Sequence, residues 1–136
     1  MSNIRVDLES VQVTDGQGVG EGDFELRLQV QEGSHQIVWP SLNSSARVDQ
    51  NGSPYNINRE VATYAVDSGS LTKRFTVDVT EVDKGTLGQD DYGSGSIQFE
   101  LTPGMAPKTQ TATITLKRPK MKTNGAVKVT MSAQAA

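Results

Sequence analysis

The sequence predicts an all-β fold, an eight-stranded antiparallel β-sandwich, on three observations. Apolar side chains recur at every second position in one segment after another, as in strands with one buried face. No stretch shows helical periodicity, and residues 52–61, GSPYNINREV, are the one place with room for a helical turn. Threonine, valine, serine and glycine are abundant, as in chains that form sheets. Two antiparallel sheets packed face to face are the usual architecture for such a chain.

Each predicted strand has its own local signal. The change of phase near Ser10 indicates a β-bulge in the first strand. Pro40 ends the third strand or moves it to a sheet edge. The segment DSGS, residues 67–70, predicts a hairpin between the fourth and fifth strands, and a turn closed by NG joins the last two. The predicted strands are 4–13, 23–30, 35–41, 60–67, 71–83, 94–102, 111–118 and 125–133.

Length and composition limit the classes of protein. A chain of 136 residues is long enough for one core, and without a linker or repeat we expect a single domain over 1–136, with 131–136 as a frayed tail. The absence of cysteine excludes disulfides, thiolate catalysis and cysteine-bound zinc. Residues 1–100 have a formal charge of −9 and residues 101–136 one of +6. This asymmetry suggests an acidic site in one place and a basic surface in another.

The sequence shows neither a signal peptide nor an apolar run of the roughly 20 residues that cross a bilayer. We therefore expect a soluble protein that is cytoplasmic or exported by a route without a signal peptide. The compartment stays unknown.

Two loops that join predicted strands are rich in carboxylates and glycines. The first, 13–26, reads VTDGQGVGEGDFEL, and the second, 80–95, reads TEVDKGTLGQDDYGSG. If both loops lie at the same end of a sandwich, their carboxylates converge, and their repulsion costs several kcal/mol unless a cation neutralises it. Calcium suits such loops, because it takes roughly six to eight oxygen ligands in irregular geometry. Aspartate and glycine are also ordinary turn residues, so two plain turns are the alternative.

These segments resemble the C-two domain family, the calcium-binding eight-stranded sandwich of protein kinase C and synaptotagmin. The stretch FTVDVTEVDKGTLGQDDYGSGSIQF is similar to the family's sixth strand, third calcium loop and seventh strand. The stretch TDGQGVGEGDFELRLQV is similar to its first loop and second strand, and ATITLKRPKMKTNGAVKVTMSA to its closing hairpin. The sequence departs from the family by a glutamate in place of the first aspartate of the third-loop pair, by longer spacers, and by the lack of a proline after Asp23.

The resemblance implies a set of calcium ligands. In the third loop, Glu81 and Asp83 match the paired ligand positions, and Asp90 matches the later one, with Asp91 as neighbour or substitute. In the first loop the two matching positions are Asp15 and Asp23. The implied cofactor is Ca²⁺.

Two functions follow from this set. The first is a calcium-bound module for recognition or assembly, with a protein partner or neighbouring subunits. The second, which the family implies, is calcium-dependent docking to anionic phospholipid. A basic turn, 117–122, could add attraction to anionic lipid at about 1 kcal/mol per basic residue, or it could simply be a solvated turn. Its basic residues are Lys117, Arg118, Lys120 and Lys122.

Catalysis and nucleic-acid binding are not expected. His35 is the one histidine, and a lone histidine at the start of a strand is more often structural than a general base. Trp39 is expected in the core rather than in a sugar site, because the chain has few aromatic residues to floor a cleft. The net negative charge and the lack of alternating aromatic and basic residues argue against nucleic acid.

Overall fold

The chain folds into antiparallel strands, as predicted. A computed structural model describes residues 2–15, 24–49, 52–82, 90–117 and 123–136. These residues form nine strands: β1 (Asn3–Asp15), β2 (Phe24–Glu32), β3 (His35–Trp39), β4 (Ala46–Val48), β5 (Tyr55–Ala65), β6 (Leu71–Glu81), β7 (Asp91–Leu101), β8 (Lys108–Lys117) and β9 (Thr123–Ala135). Within this part of the chain no helix is long and apolar enough to cross a membrane.

The strands are arranged in two halves. The order β3-β2-β6-β7, with β4 also paired to β2, forms one half, and β8-β9-β1-β5 forms the other. Among the described residues, one registered pair between β7 and β8, Tyr92 with Lys117, links the halves. Every strand pair is antiparallel, which confirms the predicted fold class.

The inward faces of both halves form one hydrophobic core. On β6 the alternation that the sequence shows is reproduced, because Phe75, Val77 and Val79 are buried and the residues between them are not. The ring of Tyr64 on β5 lies 6.4 Å from that of Phe75, so the core joins the two halves directly. Burial of apolar area at about 25 cal/mol per Å² is the main stabilising contribution to such a core.

Glycine at two inward positions of β7 lets β8 approach closely. A Cβ atom added at Gly93 would lie 2.4 Å from the backbone oxygen of Thr115 and 2.6 Å from Cγ2 of Ile114. At Gly95 the nearest atom to such a Cβ is Cγ1 of Ile114, at 3.0 Å. The contact at position 93 is with backbone, which cannot move away as a side chain can. The absence of a side chain there is therefore a condition for the junction between the two halves.

The structure corrects three sequence-based expectations about strands. The segment with room for a helical turn is the start of β5, and β4 was not predicted. The predicted hairpin between the fourth and fifth strands is wrong, because β5 pairs with β1 whereas β6 pairs with β2 and β7. The turn at residues 67–70 thus carries the chain from one half to the other.

The expected frayed tail at 131–136 is also wrong. Met131 and Ala133 have no exposed surface, and β9 pairs with β1 as far as Ala135 opposite Ile4. The amide of Ala136 donates to the carbonyl of Asn3 at 2.9 Å. The side chains at the end of β9 are small, so the sequence showed little sign of a strand there, although buried and partly exposed residues alternate from Met131 to Gln134. The bulge predicted near Ser10 is confirmed by a register shift between Leu8 and Ser10.

Replacement of Gly93 by alanine should destabilise the protein by about 2–3 kcal/mol, because the added methyl group overlaps the backbone of β8. Urea denaturation measures this difference. The matched control is Ser96→Ala, an exposed position on the same strand, which should change stability by less than about 0.5 kcal/mol. Equal denaturation midpoints for the two variants would contradict the close approach of β8.

Candidate functional site

The strand registers bring the flanks of both acidic loops to one end of the sandwich. Antiparallel partners in adjacent strands are Asp15 with Ala126, Thr123 with Lys117, Lys117 with Tyr92, Asp91 with Glu81, Glu81 with Leu26, and Phe24 with Val48. Successive pairs lie on neighbouring strands. The last residues of β1, β4, β6 and β8 therefore lie at the same end of the sandwich as the first residues of β2, β7 and β9. We call this end, marked by Asp15, Phe24, Glu81 and Asp91, the site end.

Glu81 and Asp91 form a cross-strand pair at the site end. The ladder between β6 and β7 runs without a shift over eleven residue pairs, from Leu71 opposite Leu101 to Glu81 opposite Asp91. Glu81 continues the inward face of β6 and is 7% exposed, and Asp91 is fully buried. Side chains directly opposite in such a ladder have Cβ atoms about 4.5–5.5 Å apart. Two carboxylates therefore lie side by side at the edge of the core, and each has a polar or electrostatic partner.

The structure describes only some of the other predicted calcium ligands. Asp90, half-buried, precedes β7 directly and also has a partner. Asp15 is the last residue of β1, two positions beyond the buried Val13, and its side chain lies outside the described part of the structure. Asp23 and Asp83 lie outside the described residues altogether.

The donors at the site end suit a hard cation. Carboxylate oxygens are the ligands that Ca²⁺ prefers, and it requires roughly six to eight of them. Among the residues that the structure describes, however, no group of three or more His, Cys, Asp or Glu side chains is placed to hold a metal ion. Glu81 and Asp91 thus bring two carboxylates together, and a complete shell would need oxygens from the flanking residues.

The basic turn begins at the same end. Lys117, the last residue of β8, is exposed and pairs in register with Tyr92, whose side chain is 51% exposed. Tyr92 follows Asp91 directly, so an outward lysine and tyrosine adjoin the inward carboxylates. The expected separation of acidic and basic regions is not seen at these flanking positions. Arg118, Lys120 and Lys122 lie outside the described residues.

The histidine belongs to a separate polar cluster around Tyr64. The ring of His35 packs edge-on against Tyr64 at 5.3 Å, and Nζ of Lys73 lies 5.1 Å from the centre of the Tyr64 ring. The Tyr64 hydroxyl donates to Oε1 of Glu32 at 2.5 Å, and Nζ of Lys73 lies 3.7 Å from the same oxygen. Desolvation by burial, and then the hydrogen bond and charge of Glu32, raise the pKa of Tyr64 above its usual value. These contacts give His35 a packing role.

No protein-family model matches this sequence, and no curated protein matches it. Among solved structures, C-two domain A of plant extended synaptotagmin 1 is similar over 99% of this chain and 95% of its own, with a TM-score of 0.48 and 12% identity. A second structure, described as a C-two domain, is similar over 98% of this chain and 99% of its own, with a TM-score of 0.46 and 16% identity. Both are C-two domains, the family that the sequence resembles. Neither assigns a role to a residue of this chain.

The Tyr64 contacts predict a loss of stability at alkaline pH. Because the pKa of Tyr64 is raised by folding, the contribution of this group is complete below about pH 10, where the phenol of the unfolded chain ionises. It is lost as the pH rises from there towards the folded pKa. The free energy of unfolding, measured by urea denaturation from pH 8 to 11, should therefore fall more steeply in the wild type than in Tyr64→Phe.

Tyr92→Phe is the matched control, since Tyr92 is half-exposed and should leave the steep fall unchanged. A parallel pH dependence of the wild type and Tyr64→Phe would contradict the role of the Tyr64–Glu32 hydrogen bond.

Proposed function

We propose that this protein is a calcium-binding β-sandwich module that acts in recognition or assembly, without catalysis of its own. One observation supports the proposal above others: the registers place the flanks of two acidic loops at one end of the sandwich, where Glu81 and Asp91 lie opposite each other on the inward face. Two carboxylates thus lie together beside the start of the second acidic segment, and backbone from the flank of the first lies at the same end, which is an arrangement that a site for a hard cation could use.

The residues of the site have distinct parts in this proposal. Glu81 and Asp91 hold carboxylates at positions that the β6–β7 ladder sets, so they are ordered before an ion binds. Asp15, Asp23, Asp83 and Asp90 are proposed to supply further oxygens from the loops and their flanks. The bound ion would supply positive charge that offsets the repulsion among these groups. It would also stabilise the folded state, because it would bind the folded protein and not the unfolded chain.

Calcium should raise the melting temperature of chelator-treated protein, and Asp83→Ala should abolish the rise. At a free calcium concentration 100-fold above the dissociation constant, the stabilisation is about 2.7 kcal/mol. Calorimetric titration gives stoichiometry and affinity, and thermal melts with and without calcium give the stabilisation. Glu100→Ala is the matched control, because it also removes a carboxylate but from an exposed position near the opposite end of β7. A flat titration of the wild type would leave two ordinary turns as the interpretation.

A second function, calcium-dependent docking to anionic phospholipid, is favoured by the position of Lys117. This exposed lysine and the half-exposed Tyr92 are register partners at the same end as the carboxylate pair. A lipid phosphate near the bound ion could therefore also meet a basic and an aromatic side chain. The electrostatic part of such docking is worth about 1 kcal/mol per basic residue near the membrane surface.

If the protein docks to anionic phospholipid, it should pellet with phosphatidylserine vesicles in a sedimentation assay only when calcium is present. Lys117→Gln should then lower the partition constant roughly fivefold. Lys108→Gln, an exposed lysine at the opposite end of β8, should leave it unchanged. Equal losses for the two lysine variants, or equal pelleting with phosphatidylcholine vesicles, would count against this function and leave the assembly module.

A further inference from the structure

Two adjoining cavities lie on the outer face of the half that contains β2, β6 and β7. The first, of about 230 Å³, is lined by Arg27, Gln29, Val38, Leu42, Asp78 and Thr80. The second, of about 300 Å³, is lined by Asp78, Val79, Thr80, Tyr92, Gly93 and Ser94. Because Asp78 and Thr80 line both cavities, the two lie on either side of β6 and together reach from β3 to β7. We call this combined depression the cross-strand groove.

The strand registers order the side chains of the cross-strand groove in two parallel rows. From β3 to β7 the first row is Val38, Gln29, Asp78 and Ser94, and from β2 to β7 the second is Arg27, Thr80 and Tyr92. Neighbouring strands are about 4.8 Å apart, so the first row is about 14 Å long. The groove is therefore longer than a single small ring and has its polar groups at regular intervals.

The polar groups of the groove are packed and still available. Arg27 and Gln29 are half-buried, and among the described residues neither side chain has a hydrogen-bond or ion-pair partner. Asp78 is a diagonal neighbour of Arg27 on the adjacent strand, within reach of a long side chain. Its Oδ1 instead accepts a hydrogen bond from the Ser94 hydroxyl at 2.7 Å. The guanidinium, the amide and the second carboxylate oxygen thus keep their hydrogen-bonding capacity for a ligand.

The charges of the groove balance. Arg27 contributes +1 and Asp78 contributes −1, and the other lining side chains are neutral at pH 7, so the formal charge is zero. An anion would meet the carboxylate of Asp78, and a cation would meet the guanidinium of Arg27. The groove therefore suits an uncharged ligand with many hydrogen-bonding groups.

Apolar surface is exposed at both ends of the groove. Tyr92, on β7, is 51% exposed, and Leu42, beyond the end of β3, is 71% exposed. A tyrosine ring offers a large, rigid contact surface at a low cost in conformational entropy. A ligand that suits this groove thus has apolar faces as well as polar edges, which is the chemistry of a sugar ring.

We propose that the cross-strand groove binds a linear, uncharged oligosaccharide that lies across the strands. Ring faces of the ligand would contact Tyr92 and Leu42, and its hydroxyls would bond to Arg27, Gln29 and Asp78. The planar groups of these three side chains each offer paired donors or acceptors, which match neighbouring hydroxyls on one ring. Because the rows are straight, a straight β-linked chain fits them better than a curved α-linked one.

This binding goes beyond the proposed calcium function and does not require the ion. Arg27, Gln29 and Asp78 lie on the outer face of their strands, whereas Glu81 and Asp91 lie on the inner face. Measurements in the presence of a chelator therefore test the groove alone, and a failure of either proposal leaves the other standing.

Titration of ¹⁵N-labelled protein with cellohexaose in a buffer that contains EDTA tests the proposal through amide resonances. We expect saturable shifts at residues 27–29, 78–80 and 92–94 and none at 109–113 or 128–132 on the other half. Tyr92→Ala should weaken binding roughly tenfold, because an apolar contact face is lost. Arg27→Gln should weaken it roughly fivefold, because paired donors are lost. The spectrum of each variant without sugar checks its fold.

The matched control is Arg74→Gln, which removes the same charge from an exposed position on the same face of β6 and should change the affinity less than twofold. Maltohexaose, an α-linked chain of the same sugar, should bind at least tenfold more weakly than cellohexaose. Absence of saturable shifts with cellohexaose, or equal weakening by Arg27→Gln and Arg74→Gln, would overturn the proposal. Equal affinity for the two hexasaccharides would overturn the fit of a straight chain. Saturable shifts with inorganic phosphate but not with cellohexaose would make the groove an anion site instead.

Discussion

The junction between the two halves depends on residue 93 having no side chain. The backbone oxygen of Thr115 would lie 2.4 Å from a Cβ at this position, well inside contact distance. Because β8 can come this close, Tyr92 and Lys117 become register partners, and β8 continues the path of neighbouring strands into β9 and β1. Without this junction, the ends of β1 and β6 would belong to two separate sheets joined through the shared core alone.

The same geometry forces two carboxylates towards each other. The β6–β7 ladder has no bulge, so inward positions stay inward along its whole length, and Glu81 must lie opposite Asp91. Like charges opposite each other in a ladder are destabilising. Next to them on β2, Phe24 and Leu26 are fully buried, which limits access of water to the pair. The apolar core on one side of the two carboxylates thus limits the screening of their charges by water.

Strands whose apolar residues alternate were predicted correctly from the sequence. Features that depend on contacts between distant parts of the chain were not. β6 and β7 alternate cleanly and were found. The first half of β5 was missed because residues 55–60 are mostly exposed on both faces, so no alternation marks them. The hairpin around residues 67–70 was wrong because a short glycine turn also permits a crossing between halves. The burial of Asp7 was missed because a carboxylate between two inward residues of an alternating strand is expected to face solvent, whereas Asp7 is 9% exposed and pairs with Arg5.

The spacing of a sheet limits how closely carboxylates on one of its faces can converge on a single ion. Neighbouring strands are about 4.8 Å apart, and successive residues on one face of a strand are about 6.6 Å apart. Three carboxylates fixed on such a grid, as on the outer face of β1 and β5, do not converge on a single point. Strands β6 and β7 meet the site end at the Glu81–Asp91 pair, and the sequence between these two residues contains Gly85 and Gly88, a residue type that permits backbone conformations other residues avoid. Oxygens that surround one ion must approach it from several directions, so the proposed calcium site is expected at the ends of the strands rather than on their faces.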